Sequence, residues 1–384
     1  MFDFYLNTQI KFGPGSRSSL SGIIAKENWS FVGLVIDHNI AELPIILDLI
    51  EKIRKQTNRI IIGQCSISEP TYESLEELRN DFCHPSLQAI IGIGGGSALD
   101  MAKAMAVLVN NKEPAIEYRG FNKMTAPVLP VIAIPTTAGT GSEVTPNASF
   151  IDAKEKKKMG INGDAVKPRY AILDPELTLS CPKAPTVSAA VDSIVHAVEA
   201  FAAKKTNPLA RLFSTEGFKR VFKALPELVN NLDNLDLRCE VMYGAFLSGI
   251  ALMHSGTGPA AAMSYPLGIH YNVPHGIGGA VFLPHIIKHN ATHGYHDYAE
   301  LYDLIVKDAK PKSREEKSLR FIDSLNSLWE TLSILKKLDQ LNFEKEMASK
   351  FINETMELKG ALDQNPVPFY ENEIRQVLEA LEAK

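Results

Sequence analysis

The first half of the chain alternates short apolar runs with amphipathic segments of helical period. Strands are predicted at the runs FVGLVID, RIIIGQ, LQAIIGIGGG and PVLPVIAIPTT, at 31–37, 59–64, 87–96 and 127–137. The segments LPIILDLIEKIRKQ (43–56) and SALDMAKAMAVLVN (97–110) place apolar residues three and four positions apart, which predicts helices. Strands that alternate with helices predict a mostly parallel sheet covered by helices.

The second half carries a different pattern. From Val187 almost to the C-terminus the apolar spacing stays close to 3.6 residues, and strand patterns end before it. Prolines are expected to break these helices at Pro208, Pro226, Pro266 and Pro274. We therefore expect two domains, an α/β domain over 1–182 and an all-helical domain over 183–384.

Composition and charge narrow the class of protein. The chain has 384 residues, of which 45% are hydrophobic and 22% charged, as in ordinary globular proteins. A net charge of −5 gives no electrostatic reason to expect nucleic acid or an anionic membrane as partner. The N-terminal sequence MFDFYLNTQIKFGPG lacks a signal-peptide pattern, and the four cysteines form no CxxC motif. We therefore expect a cytoplasmic protein with a small-molecule partner.

Three consecutive glycines lie between a predicted strand and a predicted helix. Gly94, Gly95 and Gly96 would let the backbone approach a phosphate, and the helix start offers N–H groups and a partial positive charge. Ser97 fits either an N-cap or a direct phosphate donor. The same four residues also fit a tight turn without a ligand, and they match neither GxGxxG nor a Walker A loop.

A second loop of small and polar residues, PTTAGTGSEVTPNASF, follows the next strand at 135–150. Two such loops at the carboxyl ends of sheet strands are what a dinucleotide crevice requires. Asp37 ends the first strand. Its carboxylate could bind a ribose 2′-hydroxyl and repel a 2′-phosphate, or it could serve only the turn.

The predicted helix PTVSAAVDSIVHAVEAF carries a pair of residues that suits a cation. Asp192 and His196 are four positions apart and share one helix face. Glu199 lies on a neighbouring face, where it could orient a ligand or be solvated. His275, expected in a loop after the small-residue segment GPAAAMSYPLG, is a candidate third ligand. An isolated Asp/His pair also arises by coincidence.

Taken together and in this order, the motifs resemble the iron-dependent (group III) alcohol dehydrogenase family. The matching pieces are GGGSALDMAK, PTTAGTGSEVT, KMGI, ILDPELT, DSIVHAVEAF, YPLG, NVPHG and NPVPFYENEIRQVLEAL. They extend from about residue 10 to residue 380. The resemblance implies a dehydroquinate synthase-like architecture, with an N-terminal dinucleotide-binding α/β domain and an all-helical C-terminal domain. It also implies NAD(P)-dependent interconversion of an alcohol and its carbonyl, and a homodimer or larger homo-oligomer.

The resemblance further implies roles for individual residues. Contacts to the cofactor would come from Asp37, Gly94, Gly95, Gly96, Ser97, Thr136, Thr137 and Lys158. Among these, Asp37 stands where family members favour NAD over NADP. Asp192, His196 and His275 match three of the four metal ligands. The fourth is missing, because Ala261 stands where the family usually has a histidine, four residues before Tyr265.

Three interpretations of Ala261 remain open. The site could bind Fe²⁺ or Zn²⁺ with three protein ligands and an open position, as catalytic zinc sites do. His270, expected on a loop, could replace the missing ligand, whereas His254 would be about 10 Å from Ala261 along one helix. The metal could also be weakly bound or absent.

The function predicted from these features is hydride transfer between nicotinamide C4 and a small alcohol or carbonyl, assisted by a divalent metal. His270 and Tyr265 are candidates for a proton relay or a substrate contact. One alternative is a metal-independent reductase of an activated carbonyl, similar to the maleylacetate reductases. Others are a cyclising lyase similar to the dehydroquinate synthases and a non-catalytic dinucleotide-binding protein.

Overall fold

The structure, a computed structural model, describes residues 1–65, 69–307, 312–334 and 345–382. They form two compact units. One comprises Tyr5–Cys181, and the other comprises Met1–Phe4 with the described residues from Pro182 onwards. None of the described helices has both the length and the apolar character that crossing a bilayer demands.

The first unit is built on a parallel sheet of six strands, and helices precede or follow most of its strands. The strands of the described chain are β1 (Gln9–Phe12), β2 (Phe31–Asp37), β3 (Arg59–Cys65), β4 (Ala89–Gly94), β5 (Gly120–Phe121), β6 (Val131–Pro135), β7 (Asn147–Asp152), β8 (Lys157–Asn162) and β9 (Tyr170–Leu173). The helices of this unit are α1 (Ser19–Glu27), α2 (Pro44–Gln56), α3 (Tyr72–Phe82) and α4 (Gly96–Leu108). The sheet order is β1-β9-β6-β4-β2-β3, and all neighbours are parallel. The predicted parallel sheet is confirmed.

Strand β2 shows why its sequence reads as a continuous apolar run. Phe31 and Val35 pack in one apolar cluster with residues of α3 and α4. Val32, Leu34 and Ile36 pack in a second cluster with residues of α1 and α2. Alternate side chains of a strand point to opposite faces, so a strand covered by helices on both faces needs apolar residues at every position.

The order in which the chain adds strands to the sheet reverses between β2 and β4; we call this point the sheet reversal. Strand β3 follows β2 along the chain and pairs with one edge of it, whereas β4, which comes next, pairs with the other edge. In such open sheets the crevice at the carboxyl ends of the two strands flanking the reversal is the usual ligand site. The segments that leave β2 and β4 at this point are the turn at Asp37 and the glycine loop.

A second, three-stranded sheet was not predicted. Its order is β5-β8-β7, and β7 and β8 pair antiparallel. The sequences NASFID and KKMGIN contain few apolar residues, so they form no apolar run. Only alternate residues of β7 are buried, because the strand has one covered face.

The regular secondary structure of the second unit is entirely helical in its described residues. Its helices are α5 (Lys183–Ala202), α6 (Pro208–Leu228), α7 (Leu235–Ser255), α8 (Pro259–Tyr271), α9 (His275–Thr292), α10 (Tyr298–Ile305), α11 (Arg314–Thr331), α12 (Lys345–Glu357), α13 (Lys359–Leu362) and α14 (Glu371–Glu382). Helix α5 packs against α6, α7 and α9, and α8 packs against α9. The predicted helical character of this half is therefore confirmed.

Two of the predicted proline breaks are wrong. Pro226 lies inside α6 and Pro266 inside α8, whereas Pro208 begins α6 and Pro274 directly precedes α9. Pro266 cannot donate to the carbonyl of Ala262, so α8 lacks that hydrogen bond. The helix continues because Ser264, Pro266 and Leu267 are buried and α8 packs against α9. Tertiary packing here outweighs the local preference.

Candidate active site

The strand ends that flank the sheet reversal lie in direct contact. Gly94 has a φ of 154°, and a Cβ atom added there would lie 2.7 Å from the Cβ atom of Asp37. Only glycine therefore fits between the two strand ends. The Asp37 carboxylate accepts hydrogen bonds from the backbone N–H of Asn39 at 2.9 Å and from its side-chain amide at 3.0 Å. These contacts fix a half-exposed carboxylate beside the glycine loop.

The glycine loop leads directly into α4. Gly95 is the N-cap of the helix, and Ser97 is its second residue, so Ser97 as N-cap was wrong. Glycine can take this position without a side-chain acceptor, and none is bonded there. Ser97 keeps its other predicted role, that of a phosphate donor. The first N–H groups of α4 have no partner inside the helix, which makes its start suited to an anion.

The second predicted loop lies against the first. The Thr136 N–H donates to the Gly94 carbonyl at 2.9 Å. A Cβ atom on Gly95 would lie 3.4 Å from Thr137 Oγ1, and one on Gly96 would lie 2.6 Å from Thr140 Cγ2. The fold thus brings together seven of the eight residues predicted to contact the cofactor, namely Asp37, Gly94, Gly95, Gly96, Ser97, Thr136 and Thr137. Lys158 lies on β8, where its Nζ donates to Glu69 Oε2 at 2.6 Å.

A buried lysine on α4 is hydrogen-bonded to the second loop, a contact that was not predicted from the sequence. Lys103 is fully buried on α4, and its Nζ donates to the carbonyls of Ser142, at 2.9 Å, and of Asn147. Asp100, one turn earlier, accepts from Ser142 Oγ at 2.5 Å and from the Ser149 N–H at 2.8 Å. Burial lowers the pKa of Lys103, and the nearby carboxylate of Asp100 opposes that shift.

The sequence contained one signal for this arrangement. Lys103 lies in the middle of a helix that, apart from Ser97 and Asp100, consists of small and apolar residues, with GSALDMA before it and AMAVL after it. A lysine in such a buried helix has no water to solvate its ammonium group. Such a group requires hydrogen-bond acceptors inside the protein. The loop carbonyls supply them.

In the helical unit the three predicted metal ligands converge. One ligand atom from each of Asp192, His196 and His275 lies within 4.8 Å of the other two. His196 Nε2 is 3.5 Å and His275 Nε2 is 3.8 Å from Asp192 Oδ1. Asp192 and His196 are buried on α5, and His275 is partly exposed. Among the described residues this is the one such group of three or more.

His275 is held differently from the expectation. It is the first residue of α9 rather than a loop residue, because Pro274 ends the preceding turn and opens the helix. Its Nδ1 lies 2.5 Å from Ser264 Oγ, and that hydroxyl donates to the Ala261 carbonyl at 2.6 Å. Because the one hydroxyl hydrogen is directed at that carbonyl, we infer that Nδ1 donates to Ser264 and that Nε2 keeps its lone pair. This tautomer suits a metal ligand.

The donor set fits a divalent transition metal. Two imidazoles and one carboxylate are the ligands that Zn²⁺ and Fe²⁺ take in catalytic sites with open positions. Nδ1 of His196 is buried and has no hydrogen-bond partner among the described residues. His275 is therefore the imidazole of the pair whose Nδ1 is fixed by a hydroxyl.

Glu199 is neither solvated nor part of the cluster. Its carboxylate is buried and accepts hydrogen bonds from the backbone N–H groups of Gly258 at 2.8 Å, Ala260 at 2.6 Å and Ala261 at 3.3 Å. Burial raises its pKa to about 7, although the three N–H donors act to lower it and Asp192 adds to the rise. Glu199 thereby fixes the first turn of α8 to α5.

The remaining candidates take separate positions. Ala261 is buried, and the ring of Tyr265 stacks on that of His275 with 4.8 Å between centroids. His270 lies on α8 rather than on a loop, since the helix continues past Pro266, and its Nε2 is 2.7 Å from Glu354 Oε2. In the described chain His270 is outside the ligand cluster. His254 stacks on Phe4, with 4.0 Å between ring centroids.

The doubly wound parallel sheet joined to an all-helical unit is the dehydroquinate synthase-like fold. Residues 7–175 match the model of the iron-containing alcohol dehydrogenases, and residues 186–381 match that of the C-terminal domain of the same family. The chain belongs to the iron-containing alcohol dehydrogenase family. Its predicted membership, with one ligand histidine replaced by Ala261, is confirmed.

Three known proteins illustrate the relationship. The chain is 29% identical over 325 residues to the NAD-dependent methanol dehydrogenase of Bacillus methanolicus, covering 85% of each chain. It is 27% identical to long-chain-alcohol dehydrogenase 1 of Geobacillus thermodenitrificans, covering 96% of this chain and 93% of the relative. Sulfoacetaldehyde reductase from Bifidobacterium kashiwanohense, solved in complex with NAD⁺, is 25% identical, with a TM-score of 0.88 over 100% of this chain and 99% of that one.

Proposed function

We propose that this chain is an NAD-dependent alcohol dehydrogenase or aldehyde reductase that moves a hydride between nicotinamide C4 and a small alcohol or carbonyl. The observation that carries the proposal is the convergence of Asp192, His196 and His275 within 4.8 Å, in a chain that also has a phosphate loop at its sheet reversal. Similarity to NAD-dependent methanol dehydrogenase and to a reductase bound to NAD⁺ supports the same chemistry.

Each group of residues then has a defined task. A divalent metal, Fe²⁺ or Zn²⁺, held by Asp192, His196 and His275 supplies Lewis-acid chemistry. The Gly94–Ser97 loop binds the pyrophosphate, and Asp37 binds the ribose hydroxyl. Tyr265 contacts the substrate, a role that its stacking on the ring of His275 supports. His270 has the carboxylate partner, Glu354, that a proton relay requires.

Activity before and after metal removal tests this function. Protein stripped with a chelator is assayed for NADH oxidation against a panel of aldehydes, alone and after addition of Fe²⁺ or Zn²⁺. We expect the stripped protein to lose turnover and the added ion to restore it. Full turnover without metal would favour the metal-independent reductase, and NADH binding without turnover on any substrate would favour a non-catalytic protein.

The cofactor preference should depend on the charge of Asp37. A 2′-phosphate would face this carboxylate, and a like-charge contact costs several kcal/mol, so we expect at least a 100-fold preference for NADH over NADPH in kcat/KM. Asp37→Asn keeps an oxygen that can accept from Asn39 and should reduce the preference about tenfold or more. Asp37→Gly should relax it as well. Equal kcat/KM with both cofactors in the unaltered chain would contradict the prediction.

Restoring the missing ligand should tighten metal binding. Four-ligand zinc sites bind with about 10–16 kcal/mol, or about 3 kcal/mol per ligand, so Ala261→His should lower the Kd for Co²⁺ about 100-fold. Ala261→Leu adds similar bulk without a ligand atom and serves as the control. If the histidine variant binds Co²⁺ no more tightly than the leucine variant, position 261 does not face the ion.

The assembly and the compartment are also proposals. A homodimer or larger homo-oligomer is supported by β1, the last strand of the six-stranded sheet among the described residues, on which Phe12 is 40% exposed, since edge strands readily pair with another chain. A cytoplasmic location is supported by the four cysteines, which form no disulfide.

A further inference from the structure

Ser264 is the residue that connects the position of the missing ligand to a ligand that is present. It lies on α8, three residues after Ala261, and it is 1% exposed. Its hydroxyl donates to the Ala261 carbonyl at 2.6 Å, and its oxygen lies 2.5 Å from Nδ1 of His275 on α9. The backbone carbonyl of Ala261 is thus connected through Ser264 to the ligand His275, whereas its methyl side chain supplies no ligand atom.

We propose that Ser264 is a positioning residue that fixes the tautomer and the ring orientation of His275 for metal binding. This inference rests on the proposed function and extends it to a residue outside the ligand set. The alternative tautomer would carry its hydrogen on Nε2, the atom that lies 3.8 Å from Asp192 Oδ1 and that needs its lone pair to bind a metal. It would also turn the Ser264 hydrogen towards Nδ1 and leave the buried Ala261 carbonyl without that donor.

The role matters more in this chain because it has three ligands instead of four. A site with fewer ligands depends more on each one being held in place before the ion arrives. The partners of a metal-binding histidine set the basicity and direction of its ring. His196 Nδ1 has no such partner among the described residues. Ser264 therefore gives the His275 ring a hydrogen-bond partner that the His196 ring lacks.

The tautomer can be measured without a metal. The full chain is labelled with ¹⁵N-histidine and stripped with a chelator, and His275 is assigned from the signal lost in His275→Gln. At a pH where the ring is neutral, long-range ¹H–¹⁵N spectra should show the Nδ1–H form. Ser264→Ala should shift His275 towards the Nε2–H form that free imidazole side chains prefer. An Nε2–H form in the unaltered chain overturns the proposal.

Co²⁺ titration, followed by visible absorbance, measures the consequence. Ser264→Ala should weaken Co²⁺ binding about 10- to 100-fold, the usual effect of removing the partner of a ligand histidine. The matched control is Ser214→Ala on α6, because Ser214 is also buried and its hydroxyl also bonds the carbonyl three residues earlier, that of Arg211, at 3.0 Å. This variant should bind Co²⁺ as the unaltered chain does.

Two further outcomes separate this proposal from the function on which it rests. If Ser264→Ala and Ser214→Ala bind Co²⁺ equally well, Ser264 serves only the helix, and the proposal is overturned while the metal-assisted function stands. If the unaltered chain takes up no Co²⁺, the metal-assisted function fails. The tautomer measured in the same samples then still decides whether Ser264 fixes His275.

Discussion

Replacing His196 with alanine should abolish metal uptake and lower kcat/KM at least about 1000-fold. The ligand set has three members, and the variant leaves two, Asp192 and His275. Lewis-acid stabilisation supplies several kcal/mol, and about 4 kcal/mol corresponds to a factor of 1000 in rate. Metal content is measured by elemental analysis of the purified protein and kcat/KM by NADH oxidation.

NADH binding provides the internal control for this variant. The glycine loop belongs to the unit formed by Tyr5–Cys181, whereas His196 belongs to the other, so NADH affinity should change less than twofold. His293→Ala removes an exposed histidine at the end of α9 and should change neither metal content nor turnover. If chelation and His196→Ala both leave turnover unchanged, the metal-assisted mechanism is wrong.

Lys103→Met should lower the free energy of unfolding by about 3–5 kcal/mol, the usual cost of removing one partner from a buried charged network. The variant leaves the carbonyls of Ser142 and Asn147 and the carboxylate of Asp100 without their ammonium donor. NADH should also bind more weakly, because the loop that follows Thr136 and Thr137 loses its hydrogen bonds to Lys103 of α4. Urea unfolding and NADH fluorescence titration measure the two effects.

Lys52→Met is the matched control for that loss. Lys52 pairs with Asp48 at 2.6 Å on the surface of α2, where the two side chains are 45% and 57% exposed. Exposed pairs contribute about 0–1 kcal/mol, so this variant should unfold almost as the unaltered chain does. Equal unfolding midpoints for the two variants would show that the buried ammonium group of Lys103 is dispensable.

Sequence periodicity predicted those elements that are apolar over their whole length or along one face. Strand β2 is buried on both faces and α2 on one, and both were found within a residue of the predicted bounds. The Asp192/His196 pair could also be predicted from the sequence, because residues four apart share a helix face. The family resemblance also identified Ala261, since the family usually has a histidine four residues before the position of Tyr265.

Contacts between segments that are distant in the chain could not be predicted from the local sequence pattern. The path of α8 through Pro266 depends on packing against α9, which no local rule includes. The roles of Glu199 and Lys103 depend on backbone groups about 60 and 40 residues away, respectively. A lysine within a helix of mostly small and apolar residues signals that acceptors are needed, but not which backbone groups supply them.

The attachment of α8 to α5 through Glu199 has a consequence for how this site can diversify. Helix α5 carries two of the ligands, and through one carboxylate it also fixes the backbone of Gly258, Ala260 and Ala261. The register between the two helices is therefore set by main-chain N–H groups, which every amino acid except proline supplies. The side chain at position 261 can therefore be exchanged without displacing the helix, whereas a Cβ atom at Gly258 would lie 2.7 Å from Glu199 Oε1. A protein built in this way can lose a ligand, or regain it, by a single substitution while the remaining ligands keep their places.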